Sequence, residues 1–400
     1  MNVLYIHQYF KTPSEPGGTR SYWVSKELIA KGFNVTVLTS RSEVGSLPVT
    51  EQYIDGIKVI YINEQYDQSM GIGKRSRSFI NFMIKATRVA FAQKDINIVI
   101  ATSTPLTIGI PALLLKWFKR VPFIFEVRDL WPEVPIQMGA LKNNLLIKLA
   151  KWFEKTIYKN AKHIIALSPG MQDGVVKYVP RSKTTLIPNM SKIDEFWPRE
   201  KDFGLMERLG LDKDSLKVIH FGSLGLANGV HTILESAELL LHVSNIQFVF
   251  VGGGSQEKDL QDICVNKGLK NVKFLGNYPM KEISEIVNLC DISLVSFADI
   301  PILYTNSPNK LFDSLSAGKP VIVNSNGWTK ALVEENNCGF FVNPNFPNEL
   351  SDLLINLTRD NPLVDEMGKN SRILAETKFD KSILCELFAK TVVKTTNYGV

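Results

Sequence analysis

Residues 307–325 read SPNKLFDSLSAGKPVIVNS, placing a lysine and an aspartate on the first two turns of a short helix that leads into an apolar strand. Ser307 is placed to cap free amides, Pro308 suits the first helical position, Gly318 suits the stop, and Val321-Ile322-Val323 reads as a core strand. A helix N-terminus presents unpaired N–H groups to an anion, and Lys310, one turn in, suits a diphosphate. Asp313, three residues on, can accept hydrogen bonds from vicinal sugar hydroxyls. The plain alternative is an i,i+3 ion pair between Lys310 and Asp313, contributing about 0.2–0.5 kcal/mol.

Three other stretches have chemical potential. His7-Gln8-Tyr9 runs into EPGGTRSYW, where Gly17 and Gly18 let the backbone approach a ligand and Arg20 adds charge at a helix start. EVRDLWPEV, residues 126–134, crowds Glu126, Arg128, Asp129 and Glu133 around Trp131 directly after an apolar strand, which suits hydroxyl binding, a tuned pKa or base catalysis. A helix-start charge cluster with Arg128 paired to Asp129 is the plain reading. HFGSLGLANG (220–229) and VGGGSQE (251–257) are strands ending in glycines, with Gly222, Ser223, Gly252 and Gly253 where phosphate loops carry theirs. Neither fits GxGxxG, so tight strand-to-helix turns explain them equally well. Asp212-Lys213-Asp214 resembles a metal-chelating Asp-x-Asp, but its polar surroundings favour a solvated turn, and no metal site is expected.

Elements must bring these residues together, and apolar runs alternating with amphipathic stretches supply them. NVLYIH, NVTVLTS, IKVIYI, INIVIAT and PFIFEV, then LKVIHFG, IQFVFVGGG, VKFLGN, ISLVSF and PVIVNS, read as strands of α/β sheets separated by helices. At 400 residues the chain suits two doubly wound domains, 1–190 and 191–380, meeting in the polar stretch Asn189–Asp214 and facing each other across a cleft. A last helix, at about 380–400, is expected to pack back on the first domain. The four cysteines form no CxxC pair, which favours reduced thiols in the cytoplasm, and no apolar run reaches the ~18 residues of a membrane span.

Charge divides the chain. Residues 1–190 hold 25 Lys and Arg against 13 Asp and Glu, a net +12; residues 191–400 hold 21 against 27, a net −6. The excess cations lie in KRSRSFINFMIKATRVAF (74–91), LLLKWFKR (113–120) and LKNNLLIKLAKWFEKTIYKNAKHI (141–164), mixed with large apolar residues. In the last, Leu145, Leu149, Trp152, Phe153 and Ile157 fall near one helical face among lysines, the pattern of a helix lying in an anionic membrane interface. A core-packed helix with a solvated basic face is the alternative. No aromatic RNA motif or recognition helix appears, so nucleic acid is not an expected partner.

Taken in order, HQYF…GGTRSYW, FEVRDLWPE, ALSPGM, IPNMSKIDEF, HFGSLGLANG, VGGG, FLGNYP and SPNKLFDSLSAGKPVIV resemble the retaining family 4 glycosyltransferases of the GT-B fold, particularly the bacterial surface-polysaccharide branch (O-antigen and capsule). The resemblance implies a donor held in the second domain by Gly222, Ser223, Gly252, Gly253, Ser307, Pro308, Asn309, Lys310, Leu311 and Asp313, with Asp313 on the ribose, and contacted from the first domain by Gly17, Gly18 and Arg20. It implies acceptor binding by His7, Glu126, Trp131 and Glu133, catalysis by Asp129, Arg128 and Lys310, and no required cofactor or metal. The donor is expected to be a UDP-sugar, including N-acetylated amino or deoxyamino sugars. The acceptor is expected to be an undecaprenyl-diphosphate-linked glycan, met by a peripheral enzyme on the inner face of the cytoplasmic membrane. The sequence departs from the family pattern at Thr305, where a glutamate is usual, and at Ser223 and Asn228, where Arg and Lys are usual. A nucleotide-sugar epimerase of the same fold and an inactive nucleotide- or glycan-binding relative are the rival readings.

Overall fold

The computed structural model describes residues 1–15, 17–41, 48–65 and 70–397; Pro16 of the glycine loop and residues 398–400 of the expected terminal helix lie outside them. One unit gathers Met1–Pro13, Gly17–Pro188 and the segment from Ser382 onward, and the other gathers Asn189–Lys381 together with Ser14 and Glu15. The division falls after Pro188, two residues before the expected boundary.

The first unit holds β1 (Asn2–Ile6), β2 (Asn34–Arg41), β3 (Val49–Ile54), β4 (Ile57–Asn63), β5 (Ile98–Thr102), β6 (Phe123–Val127), β7 (His163–Ala166) and β8 (Thr184–Leu186). They form one sheet in the order β3-β4-β2-β1-β5-β6-β7-β8. All neighbours are parallel except β3 and β4, an antiparallel pair closed by Asp55-Gly56, both at positive φ. That Asp-Gly turn is a strong hairpin signal, which the reading of strands separated by helices passes over. β5 and β6 are buried along their whole length and β1 from Val3, as strands covered on both faces must be.

The second unit holds β9 (Leu216–Phe221), β10 (Ile246–Val251), β11 (Val272–Gly276), β12 (Ile292–Val295), β13 (Val321–Val323) and β14 (Gly339–Phe341), parallel throughout, in the order β11-β10-β9-β12-β13-β14. Successive residues feed opposite faces: Val218, Phe248 and Phe250 join one core cluster, while Ile219, Phe221, Val249 and Val251 join the other. The order reverses at β1/β5 in one unit and at β9/β12 in the other. Those reversals are the crevices in which doubly wound sheets hold ligands, at the carboxyl ends of the strands.

The cysteines are free, three buried and Cys264 half-buried. Asp212 accepts from Asp214 N at 3.0 Å in an exposed turn, and no group of three or more His, Cys, Asp or Glu able to hold a metal occurs among the described residues. No helix among them is long and apolar enough to cross a membrane.

Candidate active site

In the second unit, β9 ends at the buried His220 and Phe221, with Gly222 and Ser223 following, and β10 is followed by Gly252 and Gly253. A Cβ added to Gly252, whose φ is +122°, would stand 2.0 Å from Gly222 O; one on Gly254 would stand 2.6 Å from Leu224 O. The two glycine loops therefore lie backbone on backbone, an approach only glycine permits. Into the same place the helix Asn309–Ser316 sends Lys310, whose Cε lies 3.5 Å from a Cβ built on Gly222. Lys310 Nζ donates to Asn228 Oδ1 at 3.1 Å and lies 3.1 Å from His220 Nε2. Ser296, just past β12, donates to Asn228 O at 2.7 Å.

Burial lowers the Lys310 pKa to about 7. Burial, then the charge of Lys310, holds His220 well below the usual histidine range, so the imidazole is neutral. A cation thus reaches Asn228, where the family resemblance expects one, but it comes from the neighbouring helix. His220 is a participant that the motifs do not single out; its signal is a histidine near the end of the strand LKVIHF, one residue before Phe221-Gly222 gives way to the glycine loop.

Several expectations for this segment need correction. Ser307 does not cap the helix: Pro308 holds the cap position with no side-chain cap bond, and Ser307 Oγ accepts from Asn189 N at 3.1 Å. Leu311 is fully buried, so its side chain packs in the core and touches no ligand. Lys310 and Asp313 do not pair. Asp313, also buried, lies with Oδ1 3.3 Å from Lys192 Nζ. Burial raises the Asp313 pKa to about 6, against the pull of Lys192 and with a push from Glu195.

In the first unit the expected residues separate into two layers. Arg20 and Glu126 are buried at 2% and 0% side-chain exposure and pair at 2.8 Å. Arg20 also donates to Ile187 O at 2.9 Å and Pro188 O at 2.5 Å, and Phe388 lies 5.9 Å from its guanidinium. Glu126 accepts from Tyr5 Oη at 3.1 Å and from Thr102 Oγ1. Burial alone would raise its pKa, but the charges of Arg20 and Arg128 and bonds from Thr102 and Arg20 bring it below the usual range. These two residues are a structural lock, which corrects the assignment of Arg20 to the donor and Glu126 to the acceptor: every polar atom is committed inside the unit.

Above them lie His7, Ser103, Thr104, Arg128 and Asp129, from the carboxyl ends of β1, β5 and β6. Arg128 Nη1 donates to His7 Nε2 at 3.2 Å, which leaves His7 Nδ1–H to donate to Ser21 Oγ at 2.7 Å. Burial and then the Arg128 charge keep His7 neutral. Buried at 2%, His7 has both ring nitrogens engaged within the unit and orients Arg128. Arg128 N donates to Ser103 Oγ at 3.0 Å, and Thr104 Oγ1 donates to Asp129 Oδ2 at 2.7 Å. Burial raises the Asp129 pKa, opposed by the Thr104 bond and the Arg128 charge. Arg128 and Asp129 each take other partners, so the simple Arg128–Asp129 pair is not what forms. Trp131 meets Phe79 edge-to-face at 6.3 Å, and Glu133 lies half-exposed, 3.5 Å from Lys151. Gly17 lies at φ +128° before the helix Arg20–Ala30, with Gly18 beside it. Sequence reading passes over Ser103 and Thr104, whose signal is the polar ATSTP at the end of an apolar strand.

The basic helices have exposed apolar residues. In the helix Asn144–Asn160, capped by Asn143, Leu145, Leu149 and Trp152 are 65%, 52% and 64% exposed, with Lys148, Lys151, Lys155 and Lys159 around them. Ile157 is buried, so the expected five-residue stripe is split: its carboxyl end packs into the unit and the rest is open. Trp117 and Phe118, at the end of the helix Gly109–Lys119, and Ile80 and Ile84, on the helix Ile72–Ala92, are exposed as well. Trp117 Nε1 donates to Asn160 Oδ1 at 3.4 Å, bringing two of the three helix ends together.

Two doubly wound units with these sites make a GT-B glycosyltransferase fold. Residues 17–190 match the glycosyl transferase 4-like domain and residues 204–373 the glycosyl transferases group 1 family, so the chain carries both domains of a glycosyltransferase. Among solved structures, sucrose-phosphate synthase from Thermosynechococcus elongatus superposes with a TM-score of 0.80 at 17% identity, covering 100% of both chains. Anabaena HepE in complex with UDP gives 0.72 at 20%, covering 98% of this chain and 100% of that one. In sequence, the Escherichia coli UDP-Gal:alpha-D-GlcNAc-diphosphoundecaprenol alpha-1,3-galactosyltransferase is 25% identical over 56% of this chain and 57% of its own.

Proposed function

We propose that the protein transfers a sugar, with retention and without a metal, from a UDP-sugar to a lipid-linked glycan in bacterial surface-polysaccharide synthesis. The observation that carries this reading is the Lys310 ammonium group beneath the Gly222 loop, at the start of a helix in the group 1 domain. Glycine loops, a helix N-terminus and one cation together suit a nucleoside diphosphate. HepE is described in complex with UDP and with UDP-glucose, and the E. coli relative is named for UDP-Gal and a diphosphoundecaprenol acceptor. In the reaction, the bond from the sugar C1 to the β-phosphate oxygen breaks with its electrons going to that oxygen. Lys310 and the helix amides stabilise the charge that develops. The acceptor hydroxyl oxygen bonds to C1 from the same face, and its proton passes to the leaving phosphate. Asp129, held by Thr104, orients that hydroxyl, and Arg128, aligned by His7, adds positive charge. An epimerase would need no acceptor residues, and both matched domains are glycosyltransferase domains.

The test is transfer of labelled sugar from a panel of UDP-, GDP- and ADP-sugars to a diphosphate-linked glycolipid. Transfer is expected from UDP-sugars only, with Asp129→Asn lowering turnover about 10²–10⁴-fold while UDP still raises the melting temperature. Full turnover by Asp129→Asn would remove that residue from the mechanism.

For the acceptor lipid, we read the exposed Leu145, Leu149 and Trp152 among lysines as the surface that rests on an anionic leaflet. Each cation there contributes about 1 kcal/mol, and the attraction weakens with salt. Sedimentation with anionic vesicles is expected to recover the protein at low salt, to release it at high salt, and to fail for the double variant Leu149→Glu/Trp152→Glu. Binding indifferent to salt and lipid charge would point to a water-soluble acceptor.

A further inference from the structure

The stretch Asn189–Phe196, in the middle of IPNMSKIDEF, has no part in the chemistry above, yet it runs along the helix that carries Lys310 and Asp313. Asn189 N and Nδ2 donate to Ser307 Oγ at 3.1 Å and Ser307 O at 2.5 Å, and Ser191 Oγ donates to Phe312 O at 3.0 Å. Arg372 Nη1 closes the far end, donating to Ile193 O and Phe196 O at 3.1 Å each and to Ser316 O at 2.7 Å. In the middle, Lys192 meets Asp313 at 3.3 Å, both side chains nearly buried.

A buried lysine opposite a buried carboxylate is an expensive way to pack a helix, since apolar residues of the same volume often do as well or better. Its presence calls for a role beyond packing. Lys192 Nζ lies 5.2 Å from the Phe196 ring centroid and 3.7 Å from Glu195. Glu195 is itself 3.9 Å from Lys381, which pairs with Asp194 at 2.6 Å. Arg372 is occupied by carbonyls, and Lys310, on the same helix as Asp313, bonds to Asn228. Lys192 is therefore the cation that compensates Asp313.

We propose that Lys192 is a positioning residue for the donor: it holds Asp313 ionised through Oδ1 and leaves Oδ2 to accept hydrogen bonds from the ribose diol. The assignment rests on the UDP-sugar reading given above. Deprotonated Asp313 accepts from both hydroxyls, whereas the protonated acid loses a charge-assisted bond, so UDP affinity should fall as pH drops through the Asp313 titration. Lys192 opposes the rise in that pKa; without it the acid limb moves to higher pH.

The experiment is calorimetric titration of the full chain with UDP from pH 5 to 8.5, for wild type, Lys192→Met, Lys192→Arg and Asp313→Asn. Lys192→Met is expected to shift the acid limb up by about one pH unit, which weakens UDP about twofold at pH 7 and approaches tenfold near pH 5. Lys192→Arg should return the limb to within half a unit of wild type, and Asp313→Asn should lack it. Should Lys192→Met fail to fold, Lys192→Arg against Asp313→Asn still decides: an Arg variant without the limb overturns the proposal. So does a Lys192→Met limb coincident with wild type. Wild-type protein that binds no UDP at any pH overturns the donor reading itself, and the role of Lys192 with it.

Discussion

Lys310→Ala is expected to abolish the stabilisation that UDP confers, and in the wild type UDP affinity should fall as the pH rises above about 7. A ligand at a hundred times its Kd adds about 2.7 kcal/mol of stability, so the loss is large in a melting experiment. The pH effect follows from the Lys310 pKa of about 7, lowered by burial. Below that pH the ammonium is charged in both the free and the bound protein, and this residue adds no pH dependence. A bound diphosphate favours the charged form and raises the pKa. Above pH 7 the free protein has therefore lost a proton that the complex keeps, and binding takes one up. Kd then rises by up to about tenfold per pH unit until the bound pKa is reached. Calorimetry at pH 8 in buffers of different ionisation enthalpy should find close to one proton taken up by wild type and none by Lys310→Gln. Equal uptake by both would take Lys310 out of the diphosphate site.

Glu126→Leu is expected to destabilise the first unit by about 3–5 kcal/mol, the usual result of stripping one partner from a buried ion pair. Arg20 would remain at 2% exposure with its carbonyl partners but without its anion. For a unit of this size the melting temperature should fall by about 2–4 °C per kcal/mol. The double variant Arg20→Met/Glu126→Leu should recover much of the loss, since no charge is then left buried. UDP affinity, which the proposed donor site assigns to the second unit, should stay within threefold of wild type. A Glu126→Leu protein that melts like wild type but has lost acceptor binding would put Glu126 on the substrate after all.

What the sequence makes legible depends on how far along the chain each interaction reaches. Elements set by local patterns are legible: the alternation of apolar runs and helices, the stop at Gly318, which lies at φ +63° as a helix terminator does, and the glycine loops after β9 and β10. Roles set by contacts between distant residues are not. Arg20 and Glu126 are 106 positions apart, and neither neighbourhood says that the other fills it. In sequence both look like free charges beside strands. Lys192 and Asp313 come from separate motifs, so Asp313 looks open to pair with Lys310, its neighbour at i−3. The error at Ser307 is of another kind: the cap signal is right in type, but Asn189, 118 positions away, claims the hydroxyl. For the amphipathic helix 144–160, spacing places Ile157 with the open apolar residues because periodicity reports a face and not what that face meets.

The helix Lys381–Asn397 belongs, from Ser382 onward, to the first unit, where Phe388 is fully buried near Arg20. During synthesis this has a cost in order of assembly. The ribosome must translate all of Asn189–Lys381 before it makes the piece that completes the first unit, whereas the second unit, apart from the short piece at Ser14 and Glu15, is one stretch that is complete once Lys381 emerges. The amino-terminal half therefore waits unfinished while its neighbour folds, with the seat for Phe388 empty. Premature termination just after the second unit would release a chain whose second unit is whole and whose first unit is not.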